Sequence, residues 1–431
     1  MSSFEQLPKI QDADLKGKLV LVRMDHNVVK KGKIKDNFRI DQTIATLVYI
    51  IAKGGKPILM THVGRPKDKK TGKIKVSIDE NVYPIVKYLQ QKLALNIAVP
   101  EFPCLEDSGY YSLDSSVNFM LNDLKNGKID LIYLPNTRFF IGEEAKDEMN
   151  IFFGKQLAGL ADIFVNDAFG SWQPHASTVK PTEYLPSYAG LLMQKEIINL
   201  QKVFAPNKPF LAVVAGSKFD TKIAPLRSII EKVDHLLLGG VIFNAYLAVK
   251  YDLEIKGIDP ADLDVAKEFV ALAAKTPDKV LEPQFIVESD TLDARIEGQY
   301  RVHNIKDLKP GTKLNYVLDV DKESYQDEKI KNAILNAETI FVNAVMGFTP
   351  NFYEGTEALY KLIHQNNKAH KMYGGGDTLQ EFKNLLPGIY MSCLDDEKYY
   401  FFTGGGTILT AIELGSPWEL ASIKALLANK K

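Results

Sequence analysis

Cysteine is nearly absent from this chain: two residues in 431, Cys104 and Cys393. Two thiols so far apart exclude a disulfide framework and fit a reducing compartment. Long apolar runs are missing too, and no window approaches the roughly 18 uninterrupted apolar residues of a membrane-spanning helix. Met1–Lys18 mixes acids, amides and lysines without the apolar stretch of a signal peptide. There is no excess of either charge. Lys and Arg number 53 against 54 Asp and Glu, a formal net charge of −1, so no global basic field would gather nucleic acid. Repeats and low-complexity tracts are lacking as well. The expectation is a cytoplasmic protein with no membrane and no nucleic-acid partner, whose affinity for anions comes from local clusters.

The composition is that of a globular protein, 45% apolar and 25% charged. A chain of this length exceeds one ordinary core and reads as two or three domains. Short apolar runs, among them Leu19–Asp25, Pro57–Val63, Ile129–Leu134, Asp162–Ala168 and Phe210–Ala215, alternate with amphipathic stretches such as Asp41–Ala52, Leu263–Lys275 and Glu354–Gln365. Later runs include His235–Gly240, Gln284–Glu288, Lys313–Val320, Thr339–Gly347, His370–Gly376 and Tyr399–Gly406. Many are continuous rather than alternating, as in strands buried on both faces. The pattern predicts an α/β protein of doubly wound parallel sheets. Leu185–Val203 reads as one long helix near the midpoint, connecting two Rossmann-like domains.

Ligands of open parallel sheets bind beyond the carboxyl ends of the strands. In the N-terminal half cations recur there: Arg23 beside Asp25, His62 and Arg65 in MTHVGRP, Arg138 in YLPNTRF, and His175 in NDAFGSWQPHAST. Arg39 stands just before a helix. Each alone reads as a surface arginine or a satisfied histidine. Together they describe a basic pocket for a small, multiply anionic substrate, because arginine forks match phosphate and carboxylate oxygens.

The C-terminal half uses glycine: LLLGGV (Gly239, Gly240), MYGGGDT (Gly374, Gly375, Gly376, then Asp377 and Thr378) and FFTGGGT (Gly404, Gly405, Gly406). Without a Cβ, main-chain N–H groups can approach phosphate oxygens, and a following helix N-terminus adds its dipole. Asp377 suits a hydrated Mg²⁺ on a nucleotide, or a helix N-cap. Between the two sets, AGSKFDTKI puts Lys218 and Lys222 four residues apart, placed to reach a transferring phosphate. The chain has neither GxxxxGK[ST] nor the HRD and DFG elements of protein kinases.

From about Lys18 onward these blocks resemble, in order and spacing, the phosphoglycerate kinase family: LVRMDHNV, KDNFRI, LMTHVGRPK, NTRFFIGEEAKD, VNDAFGS, HASTV, LPSYAGLLMQKE, AGSKFDTKI, GGGDT and TGGGT. The resemblance implies that Asp25, Asn27, Arg39, His62, Arg65 and Arg138, with His175 from the HASTV block, hold 3-phosphoglycerate or 1,3-bisphosphoglycerate. It implies that Lys218, Lys222, Gly239, Asn343, Asp377 and Thr378 serve Mg-ATP or Mg-ADP, with the amides of Gly374–Gly376 and Gly404–Gly406 around the phosphates. Arg39 and Lys218 would stabilise the phosphoryl group in flight, and Asp377 would face the Mg²⁺. The implied organisation is a substrate domain over 1–186, a connecting helix and hinge over 187–205, a nucleotide domain over 206–407, and a segment 408–431 folding back on the first domain. A cleft would separate the domains of a monomer.

The chain departs from the family at several points. Between NDAFG and HAS it has only Ser171–Pro174 (SWQP), without the arginine usual there. The Gly-Pro of the adenosine pocket is replaced within LDVDKES (Leu318–Ser324), and NGPMG reads NAVMG (Asn343–Gly347). The stretch FTPNFYEGT is shortened where a ribose-binding glutamate is expected, and Glu354 has the wrong spacing to replace it. Pro135 stands where a glutamate precedes Asn136. Two alternatives to an active kinase follow: a binding or regulatory protein of this type without turnover, or a kinase for a related phosphorylated carboxylate.

Overall fold

A computed structural model describes residues 4–104, 107–217, 219 and 222–429. The described chain divides into two compact units. One holds the residues up to Ile198 together with those from Pro417 onward, and the other runs from Asn199 to Ser416.

The first unit is built on a six-stranded sheet in the order Ile97–Ala98, Leu131–Tyr133, Lys56–Met60, Leu19–Arg23, Ile163–Asn166, Ser187–Ala189. Every pairing in it is parallel. All five residues of Leu19–Arg23 are buried, which is why its sequence is an unbroken apolar run rather than an alternation. The helix Phe38–Ala52 buries Ile40, Thr43, Leu47 and Ile50 at helical spacing, leaving Arg39 and Asp41 off the buried face. Each fully buried aliphatic side chain of this kind contributes about 1.5–3 kcal/mol.

The second unit has a parallel sheet ordered Val280–Leu281, His235–Gly239, Phe210–Gly216, Thr339–Asn343, His370–Gly374, Tyr399–Phe402. Its strand order reverses between Phe210–Gly216 and Thr339–Asn343, the position where doubly wound sheets open a crevice. Two expectations of uniform β-α alternation fail here. Phe285–Ser289, Tyr300–Asn304 and Tyr316–Val320 form a separate antiparallel sheet. The run Lys313–Val320 is also broken, since Lys313–Leu314 pairs instead with Glu254–Ile255.

The helix read over Leu185–Val203 begins only at Leu191 and ends at Phe204. Ser187–Ala189 is instead the edge strand of the first sheet. Gly190 N–H still donates to Asn166 O at 2.9 Å, so pairing to the neighbouring strand holds the chain extended up to that point. The boundary between the units falls inside this helix, between Ile198 and Asn199. At the other end, the helix Gly405–Glu413 stays with the second unit, and the returning segment starts at Pro417 rather than at 408. Asn429 ties that segment to the first unit by donating to Thr182 O (2.7 Å) and Leu185 O (2.9 Å). Among the described residues no helix is long and apolar enough to cross a membrane.

Candidate active site

In the first unit the strand ends bring the expected cations together. Arg23, the last residue of Leu19–Arg23, is 1% exposed. Its Nε donates to Ser177 Oγ (2.8 Å), one terminal nitrogen donates to Met24 O, and the other lies 3.0 Å from His62 Nδ1. A guanidinium can only donate, so Nδ1 of His62 accepts and its proton sits on Nε2. Burial pushes the His62 pKa well below the ordinary value. Arg23, Arg138 and Arg39 push it the same way, and Asp25 only partly opposes them. His62 is therefore a neutral Nε2–H donor held in one orientation.

Asp25 is 4% exposed and sits 3.3 Å from Arg39. Burial alone would raise its pKa, but the Arg39 and Arg23 guanidinium charges bring it below the ordinary carboxylate value. It thus stays ionised and accepts from one terminal nitrogen of Arg39, in the first turn of Phe38–Ala52. Asn27 and Arg138 bracket one peptide: Gly64 N–H donates to Asn27 Oδ1 (2.9 Å), and Arg138 donates to Gly64 O (2.6 Å). Gly64 has φ +60°, and a Cβ there would lie 2.0 Å from the Glu80 carboxylate. Arg65, Arg138 and His175 then line a hollow of about 610 Å³ together with Glu144, Lys67 and Lys69. Arg138 Nε is 2.8 Å from Glu144 Oε1 in an ion pair that is not aligned as a hydrogen bond. All seven residues expected to hold the phosphoglycerate lie in this unit around two adjoining features, the Asp25–Arg39–His62 cluster and this hollow. In the shortened loop, Ser171 is buried with Oγ 3.4 Å from His62 Nδ1, while Gln173 and Pro174 are exposed.

In the second unit a pocket of about 490 Å³ opens at the reversal point of the sheet. One end is polar. Lys222 Nζ donates to Asn343 Oδ1 (2.5 Å), and Asn343 Nδ2 donates to Gly374 O (2.5 Å). Burial lowers the Lys222 pKa to about 8, against the opposing pull of Asp377. Gly375, Gly376, Asp377, Thr378 and Gly406 face this end. Around Gly376 and Gly406 a Cβ would meet nothing within 4 Å, so their main chain lies open at two helix N-termini, Gly376–Leu385 and Gly405–Glu413. Val241, Val317, Leu318, Met346 and Phe348 make the other, apolar end. A flat apolar group with phosphates attached matches both ends.

Some assignments shift. Gly240, not Gly239, lines the pocket; a Cβ on Gly239 would lie 2.6 Å from Met346 Sδ, so that glycine admits a neighbouring side chain. Gly374 and Gly405 sit behind the lining, where close packing requires them: a Cβ on Gly374 would lie 2.5 Å from Ile408 Cδ1, and one on Gly405 2.4 Å from Gly375 Cα. Gly404 is the N-cap of Gly405–Glu413 and does not line the pocket. Asp377 is not an N-cap, a place taken by Gly375, and its side chain is exposed in the first turn. Lys218 lies outside the described residues. Glu354 is ion-paired to Arg295 and does not line the pocket.

A model of the phosphoglycerate kinase family matches residues 10–414. The chain belongs to the phosphoglycerate kinase family. It is 33% identical over 410 residues to phosphoglycerate kinase of Dictyoglomus turgidum, covering 94% of this chain and 95% of that one. With the enzyme of Thermosipho africanus it shares 33% identity over 431 residues, 98% of each chain. The solved phosphoglycerate kinase of Coxiella burnetii matches with a TM-score of 0.73 at 27% identity, over 99% of this chain and 100% of that one. That of Pyrococcus horikoshii matches in fold, with a TM-score of 0.77 at 22% identity over 97% and 98%.

Several supporting residues escape a reading by motif. Glu143, wholly buried, accepts from Thr137 Oγ1 (2.9 Å), Ser177 Oγ (2.6 Å) and Ser177 N–H (2.9 Å). It holds the serine that holds Arg23. Glu143 belongs to the NTRFFIGEEAKD block, but nothing local distinguishes it from the half-exposed Glu144. Asn244 lines the pocket of the second unit and is legible only as the residue one helical turn beyond Gly240.

Proposed function

We propose that this chain is an active phosphoglycerate kinase, catalysing reversible, Mg-dependent phosphoryl transfer between 1,3-bisphosphoglycerate and ADP to give 3-phosphoglycerate and ATP, as a cytoplasmic monomer. The observation that carries this reading is the pocket in which Lys222, Asn343 and the open amides of Gly376 and Gly406 meet beside an apolar recess. With it goes the independent Asp25–Arg39–His62 cluster on the first sheet.

The chemistry asks for positioning and charge more than for covalent help. The attacking group from 3-phosphoglycerate is a carboxylate, already an anion at neutral pH, so no strong base is needed. His62 as an Nε2–H donor, Asn27, Arg65, Arg138 and His175 would orient the substrate, with Arg39 steadied by Asp25. Arg39 and Lys218 would offset charge on the phosphoryl group between donor and acceptor. Lys222 would neutralise nucleotide phosphates, with the amides of Gly375, Gly376 and Gly406 and the Thr378 hydroxyl completing the cage. Among the described residues no group of three or more His, Cys, Asp or Glu could hold a metal alone. A single exposed carboxylate, Asp377, facing a phosphate site fits Mg²⁺ that arrives on the nucleotide; bound there, the ion would draw charge from the phosphate oxygens.

A coupled assay with Mg²⁺, ATP and 3-phosphoglycerate tests the proposal. Turnover at ordinary kinase rates is expected, with Lys218→Ala removing most of kcat while 3-phosphoglycerate binding persists. The absence of an arginine in Ser171–Pro174 favours a second reading, a binding protein without turnover. It predicts ligand-induced thermal shifts with no reaction.

A further inference from the structure

The apolar end of the nucleotide pocket is formed in part by Val317 and Leu318, and the next residue, Asp319, points away from the ligand space into the protein. It is 4% exposed. Among the described residues its carboxylate accepts two hydrogen bonds. Oδ1 accepts from Val320 N–H at 2.8 Å, and Oδ2 accepts from Gly355 N–H at 3.1 Å. Gly355 lies in the first turn of the helix Glu354–Gln365, so the second contact binds the pocket wall to the start of that helix. The fit leaves no slack. A Cβ on Gly347 would lie 2.6 Å from Asp319 Cγ, and one on Gly355 would lie 2.5 Å from Oδ1. Gly347 itself lines the pocket. One carboxylate therefore joins three pieces: the strand Tyr316–Val320, the Met346–Phe348 loop and the following helix.

We propose that Asp319 is a positioning residue for the nucleotide, whose ionised carboxylate latches the apolar wall of the pocket in its binding shape. The inference rests on the nucleotide reading of that pocket. Both partners are N–H donors, and a carboxylate meets them with two charged acceptor oxygens. An amide in place of the carboxylate turns an NH2 group on one of these donors, and a proton removes the charge that strengthens both contacts. The groups facing it sharpen the effect. Glu354, Asp321 and the Tyr325 ring all stand near, and Arg295 is already engaged by Glu354. With burial as the main cause and the two acids adding to it, Asp319 titrates at about 7. The latch is thus closed above neutrality and released below it.

The test compares wild type with Asp319→Asn and Asp319→Glu in the coupled assay, and by calorimetric titration of ADP into the full chain between pH 6 and 8.5. Asp319→Asn should raise the KM for nucleotide about ten- to a hundredfold, with kcat and the KM for 3-phosphoglycerate within about twofold. Wild-type ADP affinity should fall as pH drops through 7, and Asp319→Asn should lose that dependence. Asp319→Glu keeps the acidic group but adds a methylene to a space without slack, so it should weaken ADP binding while keeping a pH dependence. An unchanged nucleotide KM in a folded Asp319→Asn protein overturns the inference, as does a wild-type ADP affinity flat across pH 7 if that variant does not fold. Failure of the underlying reading is separate: wild type would then bind no ADP at any pH.

Discussion

Arg23 and His62 meet at 3.0 Å inside the first unit, and that contact decides the tautomer of the imidazole. The guanidinium occupies Nδ1 as a donor, so Nε2 carries the hydrogen. His26, one strand end away, is fixed by the same logic. Thr43 Oγ1 gives its hydrogen to Ile40 O (2.7 Å) and so accepts from His26 Nε2 (2.8 Å), leaving Nδ1 to accept from Tyr133 OH (2.7 Å). Two buried histidines are thus held neutral beneath a cationic site.

Acid should therefore loosen this unit early. Burial brings the His26 pKa to about 3, against some opposition from Asp25. A histidine depressed in the folded state contributes stability that is full above its unfolded pKa of about 6.5 and is lost as pH falls toward the folded value. For His26 alone the loss from pH 6.5 to 5 is about 2 kcal/mol. Urea unfolding at pH 7.5 and 5.0 should show the drop in midpoint, and His26→Gln should narrow the difference between the two pH values. An equal difference in the variant would show that the acid sensitivity lies elsewhere.

Ser177 is the narrow point between Glu143 and Arg23. Ser177→Ala removes one acceptor from the buried Arg23 Nε and one donor from the Glu143 carboxylate. A buried polar contact of this kind costs about 1–3 kcal/mol when one partner is deleted. Because Arg23 orients His62, the KM for 3-phosphoglycerate should rise severalfold while that for nucleotide holds. A variant with unchanged urea midpoint and KM would leave the Glu143–Ser177–Arg23 chain without the role assigned to it.

Lys222 should set an alkaline limit. Burial lowers its pKa to about 8, so its charge fades as pH rises through that value, well below the ordinary lysine range. ADP affinity should weaken above pH 8 in wild type. Lys222→Arg should retain affinity there, since a guanidinium keeps its charge. Lys222→Ala should lose affinity about ten- to a hundredfold at pH 7.5. Calorimetric titration from pH 7 to 9.5 decides it, and a flat wild-type profile would contradict the assignment.

What the sequence made legible follows a physical division. Strands buried on both faces are written as continuous apolar runs, so the strands of both parallel sheets show in the sequence. Pairing direction is not written that way. Phe285–Ser289 and Tyr316–Val320 are short, mostly buried runs like the central strands, and their letters do not say that they pair antiparallel. Ser187–Ala189 is too short to show a period of two. Arginine likewise looks the same whether it is buried support, as Arg23 is, or a partly exposed candidate ligand such as Arg39. Gly239 faces Met346 and Gly240 faces Gly216, which a glycine pair cannot reveal.

The glycine triplet offers a test that separates folding from binding at adjacent positions. Gly375 has φ +117°, and a Cβ there would lie 2.8 Å from Asn343 Nδ2 and 3.1 Å from Thr378 Oγ1. Gly375→Ala must therefore strain the backbone and displace the amide that positions Lys222, at a cost of about 1–3 kcal/mol and with weakened nucleotide binding. Gly376 has ordinary backbone geometry, begins a helix, and would place its Cβ in open space. Gly376→Ala should match or exceed wild-type stability, since alanine favours a helix by up to about 1 kcal/mol over glycine. Its methyl group nevertheless projects into the space claimed for nucleotide phosphates, so ADP affinity should still fall. Loss of binding without loss of stability at Gly376, beside loss of both at Gly375, is the expected pair of results in urea unfolding and ADP titration. Full ADP affinity in Gly376→Ala would place the phosphates elsewhere.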